Sequence, residues 1–175
     1  AVRLHRREHA VVLGPPRSGR TNVLCCLARA AGSAAVVVGD GDLARRSGVV
    51  AIDPADLDGV LESLEFALVL VDDMLDLDDP TGALGRVVAA APPGVHLVGA
   101  ARPDQFRSSY GHWAAEIKRS RAGVLLRPDP MDGDILGQQF PARLGIAAVA
   151  GRGVMVSEGE TEVVQCVLAE GQSTS

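Results

Sequence analysis

Eight residues near the start of the chain, Gly14-Pro15-Pro16-Arg17-Ser18-Gly19-Arg20-Thr21, have the spacing of a phosphate-binding loop, G-x-x-x-x-G-K-[S/T], with arginine where lysine is usual. The chemistry of such a loop is anion capture by backbone. A nest of N–H groups and a helix N-terminus both attract phosphate oxygens. Pro15 and Pro16 lack the N–H donor, but they precede the nest, and Arg17 through Thr21 keep theirs. Gly14 and Gly19 allow the turn and the close approach of a ligand. Thr21 offers its hydroxyl to a magnesium ion. The candidate nucleotide contacts are therefore Gly14, Arg17, Ser18, Gly19, Arg20, Thr21 and Asn22, with ATP or ADP and Mg2+ as the implied ligands. Arg20 keeps the positive charge of lysine in a larger, planar group. Lys118 is the only lysine in the chain, so no nearby lysine substitutes for it. The competing reading is a glycine-rich strand-to-helix turn that holds no ligand.

A second constellation bears on that choice. Ala67-Leu68-Val69-Leu70-Val71 is an apolar run that ends in Asp72-Asp73, the pattern of a Walker B strand. Such a strand delivers its first acid, here Asp72, to the shell of a magnesium ion, often through water. The next position is usually glutamate, the base that orients an attacking water. Asp73 is one methylene shorter and stands as the candidate base. Asp76, Asp78 and Asp79 follow, so taken alone the acids also fit a helix cap or a solvated turn. The phosphate loop on the same chain favours the metal-side reading, with Thr21 and Asp72 as the metal ligands.

The elements that must position these groups can be read along the chain. Ala10–Leu13 reads as a buried strand feeding the loop, and Thr21–Ala31 as a helix stopped by Gly32. Ala34–Val38 and Val49–Ile52 read as strands. Asp53 is an N-cap type before Pro54, which opens a helix to about Leu64. Ala67–Val71 is a strand, Thr81–Ala91 a helix that ends before Pro92-Pro93, and Val95–Ala100 another strand. Gln105–Arg119 reads as one helix carrying Arg102, Arg119 and Arg121 to one side of the sheet. Gly123–Leu126 is a strand and 127–142 a long loop. Val154–Val156 and Val163–Leu168 read as a final pair around Glu158-Gly159-Glu160. Continuous apolar strands alternating with helices indicate an α/β fold with a mostly parallel sheet covered on both faces. Ligands in such sheets bind at the carboxyl ends of strands. One domain over residues 1–170 is expected, with 171–175 as a disordered tail.

Composition narrows the classes. A chain of 175 residues has room for one domain with a buried core. Its net charge of −5 argues against a polyanion as the main partner. The charge is segregated, with acids from Asp53 to Asp79 and bases from Arg102 to Arg127. That suits either two solvated faces or a head-to-tail contact between copies or neighbouring domains. No run approaches the ~20 apolar residues of a membrane helix, and no export signal is visible. The chain opens on Ala1, as an excised piece of a longer parent would. Cys25, Cys26 and Cys166 form no C-x-x-C pair and no even disulfide framework, which suits a reducing cytoplasm. The four histidines lack metal-ligand spacing.

With the loop and the Asp72-Asp73 strand, His96-Leu97-Val98-Gly99-Ala100-Ala101-Arg102-Pro103 and Gly151-Arg152-Gly153-Val154-Met155-Val156 resemble the FtsK/SpoIIIE motor family. Ser120–Leu126, and then Asp132-Gly133-Asp134-Ile135-Leu136-Gly137, sharpen the likeness to a C-terminal ATPase module of an EccC-type type VII secretion ATPase. The resemblance covers nearly the whole chain, and the order of the motifs is more specific than any one of them. It implies a RecA-like P-loop NTPase core flanked by helices, and ATP binding. It also implies neighbouring ATPase modules of the same parent chain as partners and an Esx-type secreted helical protein as a docked substrate. DNA is not expected. The setting implied is the cytoplasmic face of a complex anchored in a membrane by another part of the parent. Three departures stand out: Arg20 for lysine, Asp73 for glutamate, and Ala101 where active members carry glutamine before Arg-Pro. Losing such positioned groups typically costs ~10²-fold or more in rate each. The resemblance with these departures implies a module that binds nucleotide and hydrolyses it slowly or not at all. The alternatives are an interaction domain that has lost nucleotide binding, and an active DNA-translocating ATPase.

Overall fold

The computed structural model describes residues 7–39, 41–142, 145–147 and 149–168. The tail expected over 171–175 lies outside them.

Among the described residues eight strands form one sheet: β1 Ala10–Leu13, β2 Ala35–Val38, β3 Ala51–Ile52, β4 Ala67–Val71, β5 Val95–Ala101, β6 Gly123–Leu126, β7 Arg152–Ser157 and β8 Glu160–Gln165. Their spatial order is β3-β2-β4-β5-β1-β6-β7-β8. The first six are mutually parallel, and β7 and β8 add an antiparallel edge. The reason is visible in β1. All four of its residues are buried, and the two-residue period sends Val11 and Leu13 to one apolar cluster and Ala10 and Val12 to the other. Each face then needs a helical cover. Helix α1, Arg20–Ala31, closes one face with Val23, Leu24 and Ala28. Helix α4, Ala83–Ala90, closes the other with Leu84, Val87 and Val88. This is the mixed α/β, mostly parallel architecture expected.

The departures from expectation are local. Helix α2, Gly41–Ser47, has no counterpart in the sequence reading, because it buries only Leu43 and Ala44. The helix expected from Pro54 begins as a 3-10 turn, Pro54–Asp56, and becomes α3 at Leu57–Glu62. Asp53 does cap it, accepting from the Ala55 N–H at 2.9 Å. The continuous helix expected over Gln105–Arg119 does not form. It splits into α5, Pro103–Arg107, and 3-10 turns over Trp113–Ser120. Ser108, Ser109 and Gly111 lie between, and Gly111 takes a φ of 78° that a helix excludes. His112 then starts the second piece, its Nδ1 accepting from the Ala114 N–H. The stretch 127–142 is not all loop, because Pro130–Leu136 coils into 3-10 turns behind an Asp129–Asp132 capping box. Glu158 and Gly159, both at positive φ, make the two-residue turn between β7 and β8.

Candidate nucleotide site

Strand order places the chemistry. β5 lies between β1, which feeds the candidate phosphate loop, and β4, which leads into Asp72. All three strands run the same way, so their carboxyl ends meet at one edge. There the loop from Gly14 to Thr21 turns into α1.

The loop has a nest's geometry. Arg17 and Gly19 take positive φ, 61° and 102°. Ser18 N–H donates to Pro15 O at 3.2 Å. Gly14 must be glycine on steric grounds, since a Cβ there would lie 2.4 Å from Ser18 Oγ. Ser18 is fully buried and its Oγ has no partner. The Gly14 N–H itself is tied to Ala101 O at 3.3 Å. Gly19 is constrained by conformation and by space, because a Cβ there would lie 3.2 Å from the Gly151 N atom.

Two polar pairs join the loop to the Asp72-Asp73 strand end. Thr21 Oγ1 donates to Asp72 Oδ2 at 2.5 Å. Arg20 Nη2 meets Asp73 Oδ1 at 2.7 Å, and Nη1 reaches Gly14 O at 3.4 Å. The Arg20 side chain is 13% exposed and Asp73 56%, so this ion pair sits at the mouth of the site rather than inside it. Asp73 has a φ of 41°, turning the chain so that Met74 folds back under β5. Met74 N–H donates to Ala100 O, and its Sδ fills the space that a Cβ on Gly99 would take. Ala101 ends β5 beside Leu13, buried, with only a methyl group to offer.

The site is closed on a third side by residues the sequence does not single out for it. Gly151 N–H donates to Ser18 O at 2.7 Å, and Cys166 N–H donates to Gly151 O at 2.8 Å. Beyond β8 the chain continues along α1, where Asn22 Nδ2 donates to Val167 O at 2.8 Å. The Asn22 amide is thus turned to the 166–168 segment. The signal for Gly151 was the Gly-Arg-Gly turn before β7. Nothing in the residue types announces Val167, because its contribution is a backbone carbonyl.

The basic groups expected together are separated. Arg102 follows β5 at the nucleotide edge, ion-paired to Asp104. Arg119 and Arg121 precede β6 at the opposite edge, and Arg119 pairs with Glu116. Because β6 runs parallel to β5, the connection between them returns to the opposite edge and carries Arg119 and Arg121 there. Arg107 instead braces the turns over Pro130–Leu136, reaching Asp132 and Asp134 at 3.3 Å each. Burial works to lower its pKa, but the bonds and charge of those carboxylates outweigh it and hold it above the usual arginine value. A cleft of about 350 Å3 between Pro15, Pro16, Arg102, Asp104 and Arg127 opens beside the loop. Among the described residues no cluster of three or more His, Cys, Asp or Glu side chains is placed to hold a metal, and no helix is long and apolar enough to cross a membrane.

A phosphate loop, a two-acid strand end and an intervening strand on a parallel sheet define a P-loop ATPase fold. Within that class the chain is similar to secretion ATPase domains. It matches Thermomonospora curvata EccC (ATPases 2 and 3) in complex with a signal sequence peptide at a TM-score of 0.71 and 19% identity, over 96% of this chain and 38% of that one. It matches EssC (ATPases 2 and 3) from Geobacillus thermodenitrificans at 0.73 and 18%, over 94% and 38%. It matches the cytoplasmic domain of EssC at 0.72 and 17%, over 93% and 40%. This chain therefore spans two fifths or less of the length of those proteins, and at such identities the likeness is one of fold. No family model and no curated protein matches the sequence.

Proposed function

We propose that the chain is a nucleotide-binding module of a type VII secretion ATPase, with residues 1–170 forming one such module. It takes ATP or ADP with Mg2+ and hydrolyses slowly or not at all. The observation that carries this reading is the pairing of Arg20 with Asp73 and of Thr21 with Asp72 beside a methyl-bearing Ala101. The residues present fit the ligand. The nest donors, the glycine-shaped loop and the orphaned Ser18 Oγ suit phosphate oxygens. A hydroxyl beside a carboxylate, Thr21 with Asp72, is the donor set that magnesium takes in P-loop proteins. Bound there, the ion would neutralise phosphate charge.

What this chain's own residues do follows from their places. Backbone N–H groups from Arg17 to Thr21, other than the Ser18 N–H that bonds Pro15 O, hold and orient the phosphates. Arg20 adds a cation, but only after leaving Asp73. While Arg20 stays on Asp73 that carboxylate is not free to accept a proton from water, and once Arg20 turns to phosphate Asp73 is still one methylene shorter than the usual glutamate. Ala101 has no polar atom with which to position that water. The chemistry needed for turnover is therefore incomplete while the binding chemistry is present.

In this role the module serves regulation or substrate docking beside neighbouring ATPase modules of the same parent chain, at the cytoplasmic face of a membrane-anchored complex. The signal peptide bound to the similar EccC structure supports a secreted helical protein of the Esx type as the docked substrate. A pure interaction domain is the second reading, and the Arg20–Asp73 pair favours it to the extent that it already neutralises the site. DNA translocation fits least, given the net charge of −5. The deciding experiment is calorimetric titration with ATP and ADP alongside a steady-state ATPase assay. Binding without turnover supports the module. Absence of binding at millimolar nucleotide supports the interaction domain.

A further inference from the structure

We infer that Cys26 and Cys166 form a reversible, redox-controlled disulfide that fastens the chain beyond β8 to helix α1. The two residues are far apart in sequence and come together through the sheet. On β8 and its extension, Val164 and Cys166 alternate onto the face that α1 covers, and both pack on the same apolar cluster as Cys26. The backbone brings them to one place. Cys26 Sγ lies 3.5 Å from Val167 O, the carbonyl next along from Cys166, and Asn22, one turn earlier on α1, holds that same oxygen. Neither thiol is buried completely, whereas Cys25 is fully buried on the inner face of α1. Residues 166–168 lie beyond the β8 ladder, which ends at the Arg152–Gln165 pair, and hydrogen bonds from Cys166 N–H to Gly151 O and from Asn22 to Val167 O hold this stretch against Gly151 and α1.

The oxidant is a peroxide. The Cys26 thiolate attacks the O–O bond of hydrogen peroxide, taking one oxygen as sulfenic acid and releasing water after protonation. The Cys166 sulfur then attacks the Cys26 sulfur, the S–S bond forms, and a second water leaves. Two thiols and one peroxide give one disulfide and two waters. Burial, then the neighbouring Cys26, pushes the Cys166 thiol upward, so it is slow to react with peroxide itself and its part is to attack the oxidised Cys26 sulfur held beside it. The link closes a loop running from α1 through β2 to β8, so it restricts the unfolded chain strongly. It also fixes the wall made by Gly151 and Cys166 against the phosphate loop.

The test uses the full chain, reduced and then exposed to hydrogen peroxide, denatured, alkylated, and read by intact mass and peptide mapping. The expected product has lost two hydrogens, joins the Cys26 and Cys166 peptides, and leaves Cys25 alkylated. Its melting temperature rises by about 5–10 °C and returns on adding dithiothreitol. Cys25→Ser keeps the shift, while Cys26→Ser and Cys166→Ser each lose it. A bridge through Cys25, or irreversible oxidation without any bridge, overturns the inference. None of these readouts requires nucleotide, so the result stands apart from the proposed function.

Discussion

If the proposed site holds phosphate by its backbone, replacing Gly19 by valine should damage nucleotide binding more than replacing Arg20 by alanine. Gly19 has a φ of 102°, which costs a β-branched residue about 1–3 kcal/mol. A Cβ would also press to 3.2 Å from the Gly151 N atom, whose N–H bonds Ser18 O. Relief of that contact moves the nest or opens the Gly151 wall. Binding should fall by about 100-fold or more, with melting lowered by several degrees. Arg20→Ala removes one charge-assisted contact worth about 1.5–3 kcal/mol. Part of that is already offset, because Arg20 must first leave Asp73. The pair's carboxylate is more than half exposed, so its screened strength is only about 0–1 kcal/mol. The expected loss is thus about tenfold. Titration calorimetry of both variants with ATP and ADP, with a melt of each to separate unfolding from weak binding, gives the comparison. If Arg20→Ala abolishes binding while Gly19→Val retains it, the backbone does not hold the phosphate.

Asp73→Asn should strengthen nucleotide binding by up to about fivefold, since it removes the anion that competes for Arg20; weaker binding in a fluorescent-nucleotide titration would count against the pairing. Steady-state turnover should stay far below ~1 s⁻¹, and Arg20→Lys with Asp73→Glu should not restore it while Ala101 remains; a coupled phosphate-release assay decides. Stability should drop as pH falls below about 6.5. Burial, then the charge of His96, lowers the His9 pKa in the fold. The unfolded chain therefore takes up the proton first, and the loss runs from 6.5 down to the lowered value. His112, lowered by burial against the opposing pull of Asp79, adds to the same slope. Denaturation midpoints between pH 7.5 and 5.5 should flatten in part for His9→Gln, which keeps an acceptor for the Leu97 N–H; an unchanged slope would refute the assignment.

The sequence made the sheet legible where burial is two-sided. β1, β4 and β6 are unbroken apolar runs, β5 is interrupted only by the buried His96, and each falls within a residue of its expected ends. The strand-to-helix turn at Gly14–Thr21 and its meeting with Asp72 were legible because the sequence sets particular residue types at fixed spacing. Helix α2 was not, since two buried side chains leave almost no period. The stretch after β5 misled, because helix-favouring residues flank Ser108–Gly111 and the turn outweighs them. Arg119 and Arg121 were misplaced for a separate reason, since a connection between parallel strands returns to the edge where the next strand starts. The wall formed by Gly151 and Val167 was hidden for another reason. It is made of N–H and C=O groups that every residue carries, and only the register of β7 and β8 brings them to the loop.

The central claim is that the Gly14–Thr21 loop binds nucleotide through its backbone with Thr21 and Asp72 on the metal side. Titrating the wild-type chain with ATP in the presence and absence of Mg2+ tests it most directly. The account predicts saturable binding that Mg2+ strengthens, with the Mg2+ effect lost in Thr21→Ala. No saturable heat with ATP or ADP at millimolar concentration, with Mg2+ present, would contradict it.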